Sequence, residues 1–206
     1  LLIDSTGIYK EKTQLKTHLN KFIKKVLLTA PGNSIPNIVY GVNHKKFNID
    51  DENIFSAASC TTNAIAPILH IINKEKKISK GHIETIHAYT NDQNLLDNMH
   101  SKSRRGRSAA INMVITSTGA GKAISKIMPN LDGKLTANAI RVPTPNGSLA
   151  VMNLDLKEKT SANEINEILR KSSLSGELVN QIKYSINEEL VSNDIIGTTG
   201  CAIFDS

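Results

Sequence analysis

The residues of this sequence best suited to covalent chemistry are a cysteine and a histidine, Cys60 and His87. Cys60 follows an apolar, strand-like segment and stands at the first turn of a segment with helical periodicity. Because the backbone N–H groups and the dipole of a helix start favour an anion, we expect a lowered thiol pKa and a nucleophilic sulfur. A buried, unreactive thiol is the competing interpretation, since free cysteines are commonly buried.

His87 ends the segment 82–87, whose alternating pattern predicts a strand. A helix of about 11 residues advances about 16 Å, and a strand of about seven residues returns about 23 Å. A helix that runs out and a strand that runs back can therefore bring His87 beside Cys60, as a base for its thiol. The other histidines lack this placement; they are His18, His44, His70, His82 and His100.

Further positions carry groups that bind anions. Thr90 lies three residues beyond His87, and Ser117-Thr118-Gly119 opens a predicted helix whose N-terminal amides can hold a phosphate. Arg141 ends a predicted strand and offers the forked donor geometry that suits phosphate. A structural role is the alternative for each residue, but together they predict a small phosphorylated substrate near a nucleophilic cysteine.

Two kinds of secondary structure must position these residues. Residues 1–59 alternate a strand at 1–3, a helix over 11–24 and a strand at 26–28, which is a βαβ unit and implies a parallel sheet. Further strand candidates are 38–40 and 54–55. Beyond Cys60 we expect a helix over 63–73, a strand over 82–87, a polar loop over 90–110, a helix over 119–128, strands over 135–142 and 148–156, a helix after the capping box at Ser161 and a strand at 202–204. The two parts join near Ser59 and Cys60.

Composition excludes several protein classes. The 206 residues suffice for one large or two small domains, and 21% charged with 39% hydrophobic residues argues against a disordered or a membrane protein. We find no signal peptide and no apolar run near the ~20 residues of a spanning helix. The net charge of +6 comes from scattered lysines without any tryptophan, so we expect no nucleic-acid partner. Cys60 and Cys201 are too far apart in sequence for a disulfide framework or a metal motif, and they fit a reducing cytoplasm.

Several segments resemble the active-site segments of the phosphorylating glyceraldehyde-3-phosphate dehydrogenases, in the order of that family and over nearly the whole chain. They are Ser5-Thr6-Gly7, Thr29-Ala30-Pro31-Gly32, Ser59-Cys60-Thr61-Thr62-Asn63 with Ala66-Pro67, His87-Ala88-Tyr89-Thr90, Ser117-Thr118-Gly119-Ala120 and Arg141-Val142-Pro143-Thr144-Pro145-Asn146. The resemblance implies an α/β fold in which residues 1–59 are the remainder of a Rossmann-type NAD-binding domain. Residues 60–206 would form an α+β catalytic domain with a mixed, largely antiparallel sheet.

The resemblance also implies residue roles. Cys60 matches the nucleophile, and His87 matches the residue that activates its thiol. The positions implied to bind the substrate phosphate and inorganic phosphate are Ser59, Thr61, Thr90, Thr118, Gly119 and Arg141, with Arg107 as a candidate for inorganic phosphate. The positions implied to contact the cofactor are Ser5, Thr6, Gly7, Thr29 and Asn91. No metal is implied.

The implied reaction converts glyceraldehyde 3-phosphate, NAD and inorganic phosphate to 1,3-bisphosphoglycerate through a Cys60 thioester, in glycolysis and gluconeogenesis. NADP is not excluded as the cofactor. The resemblance implies a cytoplasmic homotetramer, in which the loop from Tyr89 to Ala110 reaches a neighbour's cofactor site, with no membrane partner.

Three alternatives stay open. An erythrose-4-phosphate dehydrogenase would share the Cys60–His87 pair. A non-catalytic fragment is a second possibility, because the family's Gly-x-Gly-x-x-Gly turn and its closing strands do not occur in this sequence, which starts at Leu1 and reads as part of a longer chain. A papain-like cysteine protease would leave Thr118 and Arg141 without a role.

Overall fold

A small parallel sheet forms the first part of the computed structural model, which describes residues 1–206. Its strands are β1 (Leu2–Asp4), β2 (Val26–Leu28) and β3 (Ile54–Ser56), in that spatial order. The buried side chains of Leu15, Leu28 and Ile54 belong to the core beneath this sheet. The parallel sheet predicted for this part of the chain is confirmed, and the carboxyl ends of all three strands meet at one edge.

A mixed sheet forms the centre of the second part. It contains β4 (Ile78–Ala88), β5 (Val114–Thr116), β6 (Leu135–Val142) and β7 (Ser148–Leu156), in the order β5-β6-β4-β7. Strands β4 and β6 are parallel, whereas the β4–β7 and β5–β6 pairs are antiparallel. The predicted mixed, largely antiparallel sheet is therefore confirmed. A separate parallel pair, β8 (Ile182–Ser185) and β9 (Ala202–Asp205), lies near the end of the chain.

The larger core lies between this mixed sheet and three helices, which are α2 (Cys60–Lys76), α3 (Ala120–Ile127) and α4 (Ala162–Leu174). Its 17 buried residues include Leu69 from α2 and Ile83 from β4. Ser161 caps α4 by accepting the Glu164 N–H at 3.2 Å, as its sequence position predicts. None of the helices has the combination of length and hydrophobicity that a membrane crossing requires.

The helix predicted over residues 11–24 is wrong in extent. Helix α1 covers only Lys12–Leu15, and a 3₁₀ turn, Lys16–His18, follows it. The Asn20 side chain then accepts the backbone N–H groups of Phe22 and Ile23, at 2.8 and 3.0 Å. This local bonding gives the backbone an alternative to the helix.

The strand predicted at residues 38–40 is also wrong. Val39 is fully buried as its apolar character requires, but its N–H donates to the Asn43 side chain at 2.7 Å and its carbonyl accepts the Asn43 N–H. The buried Asn43 therefore holds this segment in a turn.

Two strands and one helix differ from the prediction in other ways. Strands β5 and β8 have no clear alternating pattern in the sequence. Helix α2 is longer at both ends than the predicted 63–73.

Leu69 offers a test of the larger core. It is fully buried in α2, so Leu69→Ala is expected to lower the free energy of unfolding by about 3 kcal/mol through lost contacts and a residual cavity. Leu174, which is 65% exposed at the end of α4, is the matched control, and Leu174→Ala should change stability by less than about 0.5 kcal/mol. Urea denaturation followed by circular dichroism measures both values. Equal losses in the two variants would contradict this core.

Candidate active site

A tight connection between β3 and α2 presents Cys60. Ala58 adopts a left-handed φ of 60°, which is costly for a residue with a Cβ. The hydroxyl of Ser56 accepts the Ala58 N–H at 2.9 Å, and the Asn63 side chain donates to the Ala57 carbonyl at 2.7 Å. These bonds hold the turn in place, so that Cys60 begins α2 with an exposed thiol.

Ser59 serves as the N-cap of this helix. Its hydroxyl accepts the Thr62 N–H at 3.1 Å and lies 2.7 Å from the Thr62 hydroxyl. Both contacts are internal to the helix start, where such caps stabilise a helix by about 1 kcal/mol. The neighbouring Thr61 instead lines the adjacent cavity.

His87 reaches Cys60 because α2 and β4 have matched lengths. The 17 residues of α2 advance about 25 Å, and β4 returns about 30 Å between Ile78 and His87. His87 Nε2 consequently lies 3.6 Å from Cys60 Sγ. Both elements are longer than predicted, and by similar amounts, so the expected juxtaposition is present in the structure.

The hydrogen bonds around His87 decide which nitrogen of its neutral ring carries the proton. Its Nδ1 lies 2.7 Å from the Ala88 carbonyl oxygen and 3.1 Å from Arg141 Nη1. A carbonyl oxygen can only accept, so the shorter contact requires a protonated Nδ1, and Arg141 Nη1 has oxygen acceptors of its own. The neutral ring therefore turns the lone pair of Nε2 toward Cys60 and can accept the thiol proton. The hydrogen bond from His87 lowers the pKa of the Cys60 thiol to about 7. The same contact raises the pKa of His87, which favours a thiolate–imidazolium pair.

A cavity of about 420 Å³ opens beside this pair, with His87 in its wall. Its lining is polar and almost free of hydrophobic residues. It contains the hydroxyl groups of Thr61, Ser117 and Thr118 and the cationic side chains of Lys102, Arg105, Lys122 and Arg141. Because no acidic residue lines it, the cavity is suited to a small anion.

Arg141 stands next to His87 because parallel strands β4 and β6 pair in register at these two residues. Its Nη1 donates to the Ala88 carbonyl at 2.9 Å and to the Thr90 hydroxyl at 3.2 Å. Its Nε is buried and has no hydrogen-bond partner within the chain. The guanidinium also lines the cavity and has no acidic partner, so Arg141 is a candidate anion ligand.

Comparison with known proteins shows the family of this chain. A family model described as the glyceraldehyde 3-phosphate dehydrogenase C-terminal domain matches residues 59–206. The chain belongs to the glyceraldehyde-3-phosphate dehydrogenase family. A glyceraldehyde-3-phosphate dehydrogenase-like protein of Pseudomonas aeruginosa is 51% identical over the whole chain, which covers 45% of that relative.

Two further members of the glyceraldehyde-3-phosphate dehydrogenase family are 44% identical over the whole chain. They are glyceraldehyde-3-phosphate dehydrogenase 2 of Nostoc and the glyceraldehyde-3-phosphate dehydrogenase of Mycobacterium leprae, of which the chain covers 61% and 60%. The chain thus spans about half to three fifths of the length of these relatives.

Of the two arginines that flank Gly106, one lines the cavity and the other does not. Arg107, the predicted phosphate ligand, does not line the cavity; it is exposed, and its Nε donates to Asp97 at 3.2 Å. Arg105 lines the cavity instead, where it pairs with Asp92 and donates to the Thr116 hydroxyl at 3.1 Å. Both arginines have an aspartate earlier in the loop, so the sequence contains no signal that ranks one above the other.

The residues predicted to contact the cofactor lie at the carboxyl edge of the parallel sheet, apart from Asn91. Ser5, Thr6 and Gly7 form a turn after β1, in which the Asp4 carboxylate accepts the Thr6 N–H at 3.0 Å and the Thr6 hydroxyl at 2.7 Å. Thr29 donates its N–H to the Asp4 carbonyl at 3.0 Å and so lies beside this turn. Asn91 is exposed in the loop after Thr90, and no hydrogen bond links it to the others.

The remaining predicted residues surround the cavity. Thr118 and Gly119 lie in its wall just before α3, and Thr61 lies there at the start of α2. Thr90 is exposed and touches the site through Arg141. The cationic residues that sequence reasoning did not assign to the site are Lys102, Arg105 and Lys122.

The Cys60–His87 pair predicts an unusual pH profile for alkylation. Because the Cys60 pKa is lowered to about 7, the thiolate forms as the pH rises through that value. The iodoacetamide reaction, followed by intact mass, should rise with a midpoint near pH 7. His87→Asn removes the stabilising hydrogen bond, which should raise the midpoint above pH 8 and slow the reaction at pH 7 roughly tenfold.

Cys201 provides the internal control for this measurement. It is also exposed, but burial of its surroundings raises its thiol pKa, and its Sγ donates to the Gln181 side chain at 3.0 Å. Its alkylation should therefore be slow at pH 7 and unaffected by the His87 change. Equal labelling of the two cysteines at pH 7 would contradict the activated state of Cys60.

Proposed function

We propose that this protein is an NAD-dependent, phosphorylating glyceraldehyde-3-phosphate dehydrogenase, which forms 1,3-bisphosphoglycerate in glycolysis and gluconeogenesis. The observation that carries the proposal is the 3.6 Å contact between Cys60 Sγ and His87 Nε2 at the edge of a cationic cavity. A nucleophile with its base explains covalent chemistry at an aldehyde. The surrounding cations explain why that aldehyde carries a phosphate.

The first step joins the aldehyde to the enzyme. The Cys60 thiolate attacks the carbonyl carbon, the carbonyl electron pair moves to oxygen, and the His87 imidazolium gives that oxygen its proton. The product is a thiohemiacetal. During oxidation the neutral His87 takes this hydroxyl proton back, and the carbonyl of a thioester forms.

The second step releases the product. An oxygen of inorganic phosphate attacks the thioester carbonyl, the carbon–sulfur bond breaks, and the Cys60 thiolate is regenerated as the acyl phosphate leaves. A thiolate with a pKa of about 7 is a good leaving group. Thr61, Thr118, Gly119 and Arg141, with Arg105 in the place predicted for Arg107, are proposed to hold the two phosphate groups.

The cofactor proposal rests on the edge of the parallel sheet, where dinucleotides commonly bind. A nicotinamide dinucleotide, when bound, supplies the acceptor for the hydride of the thiohemiacetal. The turn of Ser5, Thr6 and Gly7 fits such a ligand, because Gly7 has a φ of 73° and open space beside it. With Thr29 this turn would hold the nicotinamide side; NADP is not distinguished from NAD. Asn91 is proposed as a further contact.

The proposal includes two domains and an assembly. Residues 1–59 would belong to the NAD-binding domain and residues 60–206 to the catalytic domain. The family match over residues 59–206 supports this division.

A homotetramer is supported by apolar side chains exposed on and after the loop from Tyr89 to Ala110. They are Leu95, Leu96, Met99, Ile111 and Met113. A cytoplasmic location suits the exposed, activated thiol, which needs a reducing compartment.

Acylation of Cys60 tests the proposed chemistry without requiring a dinucleotide. 1,3-Bisphosphoglycerate should transfer its acyl group to the Cys60 sulfur and release inorganic phosphate, which is the reverse of the second step. Intact mass should show one acyl group on the unmodified protein, none after Cys60→Ser, and one after the control substitution Cys201→Ser. Acylation that persists in Cys60→Ser would refute the assignment.

Activity measurements then decide between the related functions. NADH formation, with phosphate present, should be faster from glyceraldehyde 3-phosphate than from erythrose 4-phosphate; the reverse order would favour the erythrose-4-phosphate enzyme. A calorimetric titration measures NAD binding separately. If Cys60 is acylated but NAD does not bind, the result would instead favour a fragment that retains the reactive site and lacks the residues that bind the cofactor.

A further inference from the structure

Three of the four cations in the cavity have no partner of opposite charge. Arg105 is paired with Asp92, and Arg141 donates to neutral oxygens. Lys102 and Lys122 form no ion pair at all within the chain, although both line the cavity. The positive charge around this space therefore exceeds what the protein itself neutralises.

Lys102 and Lys122 approach the cavity from different elements. The backbone of Lys102 is anchored, because its N–H donates to His100 Nδ1 at 2.9 Å and its carbonyl accepts the Arg105 N–H at 2.8 Å. Lys122 lies in the first turn of α3. Both side chains are exposed and their ammonium groups make no hydrogen bond within the chain, whereas the two arginines are held by hydrogen bonds.

This difference in hydrogen bonding suggests a difference in task. A lysine ammonium is a compact charge on a flexible stem and binds a moving oxyanion without demanding one geometry, whereas an anchored guanidinium orients it. Two ammonium groups facing one cavity repel each other unless an anion lies between them. A concave, cationic space also raises the local concentration of anions.

We propose that Lys102 and Lys122 form a phosphate-capture pair, which binds inorganic phosphate on the loop and α3 sides of the cavity and raises its affinity there. The pair does not act on the sulfur or on the proton held by His87. The inference rests on the proposed function in one respect, because the captured anion is the phosphate that attacks the thioester. Lys102 and Lys122 would thus determine the affinity for phosphate and leave the chemical step unchanged.

Two alkylating reagents measure the potential that the pair creates at Cys60. Iodoacetate is an anion and iodoacetamide is neutral, while in both reactions the thiolate displaces iodide from the same kind of carbon. At about pH 8.5 the Cys60 thiol, with its pKa of about 7, is ionised. The ratio of the two rates therefore reports the potential and not the thiol pKa.

Matched controls exist for both lysines. Arg104 is an exposed cation two residues from Lys102, and Lys126 is an exposed cation one turn after Lys122 on α3; neither lines the cavity. At about 0.1 M salt, where the screening length is about 10 Å, Lys102→Gln and Lys122→Gln should each lower the iodoacetate-to-iodoacetamide ratio about threefold, and the double variant about tenfold. Arg104→Gln and Lys126→Gln should leave the ratio within about 1.5-fold of the starting protein.

Direct binding of inorganic phosphate gives the second measurement. In a ³¹P NMR titration the double variant should bind phosphate about tenfold more weakly, while the two control variants keep the original affinity. Unchanged phosphate affinity in the double variant, or equal losses in the controls, would overturn the inference. If Cys60 fails to react selectively the proposed function fails, but the phosphate titration still tests the lysine pair by itself.

Discussion

The contact between Cys60 and His87 depends on two long elements that run in opposite directions and have nearly equal reach. Helix α2 starts at the cysteine and β4 ends one residue after the histidine, so their lengths fix the distance between sulfur and nitrogen. The buried core between α2 and the mixed sheet holds these elements against each other. The same strand also positions Arg141, because β6 pairs with β4 in parallel register at His87. A shift of one residue in either pairing would point one of these side chains to the other face of the sheet.

The site combines a thiolate with an excess of positive charge. The hydrogen bond from His87 lowers the thiol pKa, and no acidic residue lines the cavity to neutralise the cations. Asp92 offsets only Arg105, and the buried Nε of Arg141 lacks a partner. A buried donor without an acceptor lowers the stability of the ligand-free protein by roughly 1–3 kcal/mol. The cations that no carboxylate neutralises are consistent with a site that binds an anion.

Elements with long, regular patterns could be predicted from the sequence, whereas short segments could not. Strands β6 and β7 have the predicted bounds, because eight or nine alternating residues specify a strand that packs on one face. The helix expected over 11–24 is cut short by Asn20, and the strand expected at 38–40 becomes a turn around Asn43. In both segments a single side chain bonds to the backbone, and hydrophobic periodicity does not register that competition.

The amino-acid sequence is enough to indicate the family from its motifs. It also indicates the candidate nucleophile, the candidate base and the segments that reach the anion site, because these lie at or near the ends of regular elements. Which cations face the cavity depends on the three-dimensional packing of the loop. The loop from Tyr89 to Ala110 has no periodic pattern, and its bonds join residues far apart along it, such as Arg105 with Asp92 and Arg107 with Asp97. Those pairings turn Arg105 inward and Arg107 outward. Both arginines have an equivalent local sequence context, so the choice between them follows from three-dimensional packing alone.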